Sequence, residues 1–260
     1  MKKALFFDID GTLVSFETHR IPTSAVDALH TARQNGHKIF IATGRPGMII
    51  NNLAALGDDL IDGYITMNGA YCFAGDHVIH KNSIPEEDVQ TLGHLSTEHD
   101  FPCIFVSEHD ICVCHPNELV NKVFQDMLHV GTLPVRSIAE ATSREIFQMT
   151  PFITPEQEAY TIHLLPHCES GRWFPAFSDI VAKGNSKQRG IDEIISYFGI
   201  SLEDTVAFGD GGNDISMLKH AAIGVAMGNA NPEVKEVADY VTDTVDKDGL
   251  YKAMRHLQLI

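Results

Sequence analysis

Two aspartates separated by one residue, Asp8 and Asp10, directly follow the first apolar run of the chain, in the segment DIDGT (residues 8–12). Two carboxylates this close repel each other unless a proton or a cation intervenes. Mg²⁺, a hard cation that prefers oxygen ligands, would resolve that repulsion. The segment therefore suggests metal-assisted chemistry, although an Asx-type turn after a buried strand has a similar composition.

Two further segments offer positive or hydrogen-bonding groups that suit a phosphate. The segment TGR (residues 43–45) combines a hydroxyl, an unencumbered backbone N–H and a guanidinium, which are donors that a phosphate oxygen needs. The segment KGNSK contains Lys183 and Lys187, and the spacing to the following helix selects Lys187, with Lys183 as the alternative. Each segment alone is equally compatible with a plain turn or a solvated surface lysine.

A second acidic segment, GDGGND (residues 209–214), follows a late apolar run. Its carboxylates, Asp210 above all, could face those of Asp8 and Asp10 and complete a cage for a divalent cation. As a purely structural alternative, the segment could be a flexible loop in which Asn213 or Asp214 serves as a helix N-cap. That alternative does not account for Asp210.

Apolar runs at residues 3–7, 38–42 and 205–208 precede three of the four segments and are typical of buried parallel strands. Residues 23–35 have apolar positions at helical spacing, so the beginning of the chain indicates a βαβ unit. Ligands of open α/β sheets bind beyond the carboxyl ends of the strands. The pattern therefore predicts an α/β fold with a doubly wound parallel sheet and the four segments at one edge.

The middle of the chain has an α+β pattern that interrupts this alternation. We predict hairpins over residues 71–82 and 103–114, helices over 86–99, 117–128 and 155–165, and strands near 146–152 and 173–181. A domain inserted at residues 84–182, within a core of residues 1–83 and 183–260, explains both patterns.

Composition narrows the possible partners. The chain has 35 acidic and 19 basic residues and a net charge of −16, which disfavours nucleic acid and anionic membranes. We find no apolar stretch long enough for a signal peptide or a membrane span. Five cysteines, an odd number, suggest reduced thiols in a cytoplasmic protein.

His163 and His167 are four residues apart, but Pro166 lies between them, which indicates surface or core histidines.

The four segments, in this order, resemble the motifs of the haloacid dehalogenase-like phosphatases. The matching residues are DIDGTL at 8–13, TGR at 43–45, Lys187, and GDGGND at 209–214. The last motif and the α+β insertion resemble the Cof-type branch, subfamily IIB. The sequence around the motifs is similar to the sugar (hexose) phosphate phosphatases of that branch.

The resemblance implies a Rossmann-like core, a cap domain that selects the substrate, and a monomer or small homo-oligomer. Asp8 would attack phosphorus to form an aspartyl-phosphate, and Asp10 would act as general acid and then as general base. Mg²⁺ would be held by the Asp8 side chain, the Asp10 backbone carbonyl and Asp210, while Asp214 would act through metal-bound water. The residues that would bind the phosphate are Thr43, Gly44, Arg45, Lys187 and Asn213.

The expected activity is Mg²⁺-dependent hydrolysis of small phosphate esters, with hexose phosphates as the first candidates. An acid two residues after the nucleophile favours hydrolysis, because it can release a poor alkoxide leaving group. A sugar phosphotransferase or mutase needs the same two aspartates and stays open as an alternative. A non-catalytic sugar-phosphate sensor would predict damaged motifs, and every expected residue is present here.

Overall fold

The computed structural model describes residues 2–127 and 130–260, apart from the side chains of Met127 and Trp173. The chain forms two compact units. The core unit contains Met1–Arg45, Ile50–His80 and Ser186–Ile260, and the inserted unit contains Pro46–Ile49 and Lys81–Asn185.

The helices and strands alternate in the core unit and are mixed in the inserted unit. In chain order the strands are β1 (Ala4–Phe7), β2 (Lys38–Ala42), β3 (Gly63–Thr66), β4 (Tyr71–Ala74), β5 (His77–Lys81), β6 (Cys103–Ser107), β7 (Ile111–Cys114), β8 (Ile146–Pro151), β9 (Cys168–Phe174), β10 (Phe177–Ala182), β11 (Thr205–Gly209), β12 (Ile223–Ala226) and β13 (Tyr240–Val241). The α-helices are α1 (Thr23–Gln34), α2 (Glu86–Glu98), α3 (Glu118–Asn121), α4 (Ile138–Ala141), α5 (Pro155–His163), α6 (Lys187–Phe198), α7 (Ile215–His220), α8 (Pro232–Glu236) and α9 (Gly249–His256). Within the described part of the chain, none of these helices has the length and apolar character that a membrane span requires.

The core unit is built on an eight-stranded sheet with the order β13-β12-β11-β1-β2-β3-β4-β5. The strands from β13 to β3 are parallel, and β4 pairs with β3 in the antiparallel direction. Alternate residues of β1 serve opposite faces: Leu5 and Phe7 pack with α1 and α9, whereas Ala4 and Phe6 pack with α6, α7 and α8. The predicted α/β class with a doubly wound parallel sheet is therefore confirmed.

The register of the central strands brings the motifs to one edge. Phe7 of β1 lies opposite Phe208 of β11 on one side and opposite Ile41 of β2 on the other. Because these strands are parallel, the residues that follow each of them emerge at the same end of the sheet. This is where the segments that begin near Asp8, Thr43 and Gly209 lie.

The inserted unit contains a five-stranded antiparallel sheet with the order β7-β6-β8-β10-β9. One face of this sheet packs against apolar side chains of α2, α4 and α5. The predicted boundaries of the insertion, residues 84 and 182, lie three residues inside Lys81 and Asn185. Its assignment as a substrate-selecting cap stays a prediction.

Two of the predicted elements of the inserted unit differ from the structure. The single strand predicted over residues 173–181 is wrong: β9 and β10 form a hairpin in which Phe174 pairs with Phe177 around a proline and an alanine. Proline cannot donate to a strand ladder, which explains the break. The helix predicted over residues 117–128 consists of α3 and a π-helical segment, Lys122–Met127, and its last residue, Leu128, lies outside the described residues.

A tight contact between β12 and α7 gives a test of the core packing. A Cβ at Gly224 would overlap the carbonyl oxygen of Leu218, and this oxygen belongs to the backbone, so the strand and the helix would have to separate. We expect Gly224→Ala to lower the free energy of unfolding by about 1–3 kcal/mol, which is the usual cost of overpacking. Urea denaturation followed by far-UV circular dichroism measures this change.

The matched control is Gly212→Ala in the same unit, because a Cβ at Gly212 meets open space. This variant should change the free energy of unfolding by less than about 0.5 kcal/mol. Equal losses of unfolding free energy in the two variants would contradict this account, in which the close approach of β12 to α7 requires glycine at position 224.

Candidate active site

Asp8 lies at the end of β1, in a turn that is closed by the backbone. The N–H of Asp8 continues the sheet ladder by donating to the carbonyl oxygen of Phe208 (3.0 Å), and the N–H of Val14 closes the turn on the carbonyl oxygen of Ile9 (2.8 Å). Gly11 has a φ of +86°, and a Cβ there would overlap the carboxylate of Asp210. Glycine at this position therefore allows the first and fourth motifs to touch.

Lys187 is the first residue of α6, and its ammonium lies between two carboxylates. Its Nζ donates to Oδ1 of Asp8 (2.6 Å) and to Oδ1 of Asp214 (2.5 Å), and its side chain is 0% exposed. Burial lowers the pKa of Lys187, but the two carboxylates outweigh burial and raise the pKa above its usual value. The ammonium thus stays charged. The other candidate, Lys183, is exposed and donates to the carbonyl oxygen of Pro166.

Asp214 organises the turn that follows β11. Its Oδ2 accepts hydrogen bonds from the backbone N–H groups of Asp210 (2.9 Å) and Gly211 (2.8 Å), while its Oδ1 accepts from Lys187. The Asp210 side chain accepts from the hydroxyl of Thr12 (2.9 Å). Asp214 is therefore engaged with three donors, which fits a positioning role.

The site has the chemistry of a divalent-cation site. Carboxylate oxygens of Asp8, Asp210 and Asp214 lie within 4.8 Å of one another. Burial raises the pKa of Asp8 well above its usual value, and the neighbouring carboxylates oppose the lowering effect of Lys187. Burial, together with Asp214, likewise raises the pKa of Asp210 to about 7. Three carboxylates that lie this close despite their mutual repulsion fit a hard cation, which prefers oxygen ligands. Asp8 and Asp210 are the two residues of the group that could bind it.

The side chain of Asp10 is held by Arg45. The guanidinium donates from Nε to Oδ2 (2.6 Å) and from Nη2 to Oδ1 (2.7 Å) of Asp10, which is a bidentate ion pair. The backbone N–H of Arg45 donates to the Thr43 hydroxyl oxygen (3.0 Å), which fixes the loop that carries the guanidinium. Arg45, a predicted phosphate ligand, thus contacts the predicted acid/base in this structure.

The other predicted phosphate ligands meet around an asparagine that the motifs do not include. Asn213 donates from Nδ2 to Oδ1 of Asn68 (3.0 Å). The backbone of Gly44 lies beside both: a Cβ there would be 3.2 Å from the amide of Asn68 and 3.5 Å from that of Asn213. Asn68 therefore joins the second motif to the fourth, and its place after β3 is the one sequence signal that could have identified it.

A second asparagine was also missed by the sequence patterns. Asn229 follows β12 and donates from Nδ2 to the carbonyl oxygen of Gly11 (2.8 Å) and to Oδ2 of Asp210 (3.2 Å). It holds together the two turns that carry the candidate cation ligands. A polar residue just beyond the carboxyl end of a parallel strand is again the only available signal.

Comparisons with known proteins agree with this geometry. The family model for haloacid dehalogenase-like hydrolases matches residues 5–254. A solved structure described as the HAD subclass IIB sugar phosphatase BT4131 is 62% identical, covers 100% of both chains and has a TM-score of 0.97. BT1666 from Bacteroides thetaiotaomicron, described among the phosphatases of the HAD superfamily, is 39% identical over 100% of this chain and 96% of its own, with a TM-score of 0.90.

A relative from sequence comparison supports the same family. The pyridoxal phosphate phosphatase YbhA of Escherichia coli (strain K12) is 30% identical in an alignment that covers 94% of this chain and 96% of that protein. The family model and each of these alignments cover nearly the whole chain. The chain belongs to the haloacid dehalogenase-like hydrolases, as its four motifs predicted, and it is a phosphatase of that family.

Proposed function

We propose that the protein is a Mg²⁺-dependent phosphatase that hydrolyses small sugar phosphates, hexose phosphates first, through an aspartyl-phosphate on Asp8. The observation that carries this proposal is the buried contact of Asp8 with Lys187 beside the carboxylate of Asp210. The 62% identity to a structure described as a sugar phosphatase supports the substrate class.

Asp8 has the arrangement that a carboxylate nucleophile needs. One of its oxygens, Oδ1, is bound by Lys187, which leaves Oδ2 to attack phosphorus in line with the leaving oxygen. Lys187 also offsets the charge of an incoming phosphate, which the acidic surface of the protein would otherwise repel. Burial of the pair in a site of low dielectric strengthens both effects.

Mg²⁺ would be held by the side chains of Asp8 and Asp210 and by the backbone carbonyl of Asp10. When bound, it supplies positive charge that neutralises the phosphoryl oxygens and orients the phosphorus towards the nucleophile. Asp214 keeps the Asp210 turn in place through its two backbone hydrogen bonds. Thr43, Gly44, Asn213 and Lys187 are proposed to bind the remaining phosphoryl oxygens.

Asp10 is proposed to protonate the leaving oxygen and then to activate the water that hydrolyses the aspartyl-phosphate. The two bonds from Arg45 engage both of its carboxylate oxygens, which suits the ionised, base form. Arg45 is thus proposed to hold the carboxyl group of Asp10 in position for both steps.

The decisive variant is Asp8→Asn. We expect it to reduce phosphate release from a panel of hexose phosphates, nucleotides and other small phosphoesters by at least about 1,000-fold, because the nucleophile is lost. Wild-type release should disappear with a chelator and return with Mg²⁺. Asp27→Asn, which alters an exposed aspartate of α1, is the control for folding and charge. Hydrolysis by Asp8→Asn at the wild-type rate would contradict the proposal.

Asp10 can be tested through the leaving group. Asp10→Asn should slow hydrolysis of a hexose phosphate by about 10²–10⁴-fold, because its alkoxide needs a proton. With p-nitrophenyl phosphate, whose leaving group needs no proton, a rapid burst of nitrophenol should remain while turnover is slow. Stopped-flow absorbance measures the burst. Equal slowing of the burst and of the hexose-phosphate reaction would exclude the acid role of Asp10.

The cation requirement should appear in the pH dependence of stability. Because the folded-state pKa of Asp210 is raised to about 7, its ionisation destabilises the folded, metal-free protein as pH rises from about 4 to about 7. Asp210→Asn removes this effect, so without metal its Tm should increasingly exceed that of the wild type across this interval. Excess Mg²⁺ should raise the Tm of the wild type only. A constant Tm difference between pH 4 and 8 would contradict this account.

A further inference from the structure

A second group of metal-ligating side chains lies in the inserted unit. Glu87 and Asp88 belong to the first turn of α2, and His167 lies immediately before β9, 79 residues after Asp88. Within residues 2–127 and 130–260, only this group and the cluster at Asp8 bring three potential ligand atoms from His, Cys, Asp or Glu within 4.8 Å of one another.

The distances around His167 are close to those between ligands of a tetrahedral ion. Its Nδ1 lies 3.1 Å from Oε1 of Glu87 and 3.5 Å from Oδ1 of Asp88. Zinc lies about 2.0–2.2 Å from imidazole nitrogen and carboxylate oxygen, so its tetrahedral ligand atoms are about 3.3–3.5 Å apart. The imidazole nitrogen therefore lies near ligand spacing from both carboxylates, and all three candidate ligand atoms lie within 4.8 Å of one another.

Asp88 is fixed in position before any ion binds. Its side chain is 2% exposed, and Oδ2 accepts hydrogen bonds from the backbone N–H of His167 (2.9 Å) and from the thiol of Cys168 (3.3 Å). Oδ2 is thus held by its surroundings, while Oδ1 faces the imidazole.

Two simpler explanations exist for parts of this group. Acidic residues are favourable in the first turn of any helix, so the two carboxylates alone imply no ligand. A protonated His167 could also form an ordinary ion pair with them. The group differs from an ordinary acidic first turn in two respects: Asp88 is buried and fixed, and one imidazole nitrogen lies close to both acids. A Zn²⁺ titration separates a metal site from an ion pair. The half-exposed His167 and the exposed Glu87 leave the group accessible.

We propose that Glu87, Asp88 and His167 form a second metal site, which binds Zn²⁺ and leaves the fourth position to water. An imidazole with two carboxylates suits Zn²⁺, whereas Mg²⁺ prefers oxygen ligands alone. The site connects the beginning of α2 with the beginning of β9. It differs in ligand chemistry from the all-oxygen cluster at Asp8 and does not depend on the proposed function.

The test is a titration of the full chain with Zn²⁺ in saturating Mg²⁺, against a chromophoric chelator that reports free Zn²⁺. We expect one equivalent of Zn²⁺ per wild-type chain and at least about 10-fold weaker binding in His167→Gln and in Glu87→Gln. His163→Gln, which alters an exposed histidine four residues earlier, should bind as the wild type does. Far-UV circular dichroism establishes that each variant is folded.

Two results would overturn the proposal. One is the absence of stoichiometric Zn²⁺ binding by the wild type under these conditions, which would identify the group as an ion pair. The other is binding that persists in His167→Gln but is lost in Asp210→Asn, which would assign the Zn²⁺ to the cluster at Asp8.

Discussion

The candidate active site of the core unit depends on one buried ammonium. Lys187 is bonded to Asp8 and Asp214, residues that lie 179 and 27 positions away in the sequence, and so connects the end of β1, the beginning of α6 and the turn after β11. A buried ion pair adds little net stability by itself, but removal of one partner typically costs about 3–5 kcal/mol because the remaining charge is left unpaired. The interaction therefore fixes the position of these segments more than it stabilises the fold.

The surrounding structure can be understood as support for this charge cluster. Ser186 accepts a hydrogen bond from the N–H of Arg189 and thereby begins α6 at the residue that carries the ammonium. Gly11 and Gly209 have no Cβ, and a Cβ at either would overlap a carboxylate of the cluster, Asp210 or Asp214. The energy that holds the unfavourable charges together comes from the apolar packing on both faces of the sheet. The sheet packing therefore keeps the side chains of the candidate active site in position.

The sequence predicted the strands and the order of the motifs because both are local properties. Apolar runs of four or five residues followed by polar turns are sufficient to place Asp8, Thr43 and Asp210 at one edge of a parallel sheet. The contacts between side chains of different turns at that edge join residues that are far apart in the sequence. Asn68 and Asn229 carry no motif, and their roles depend on which turns the register brings together.

The same limit applies to the proposed site around His167, because the sequence pattern indicates only surface or core histidines there. Its partners Glu87 and Asp88 precede it by about 80 residues, and the antiparallel sheet of the inserted unit brings them together. The missed hairpin of β9 and β10 has a local cause, because a proline inside a run of aromatic and apolar residues was not treated as a turn. Periodicity identifies elements well, but it identifies neither tertiary partners nor every interruption.

The partner of Arg45 in the structure differs from the partner that its motif predicts. From its motif it is expected to bind phosphate, whereas in the structure its guanidinium forms two bonds with Asp10. A planar guanidinium fits a carboxylate and a phosphate equally well. Arrival of a phosphoryl group would therefore offer Arg45 a second anionic partner. Because a guanidinium carries five N–H donors, Arg45 would then connect the phosphoryl group with the proposed acid/base and hold the two in register.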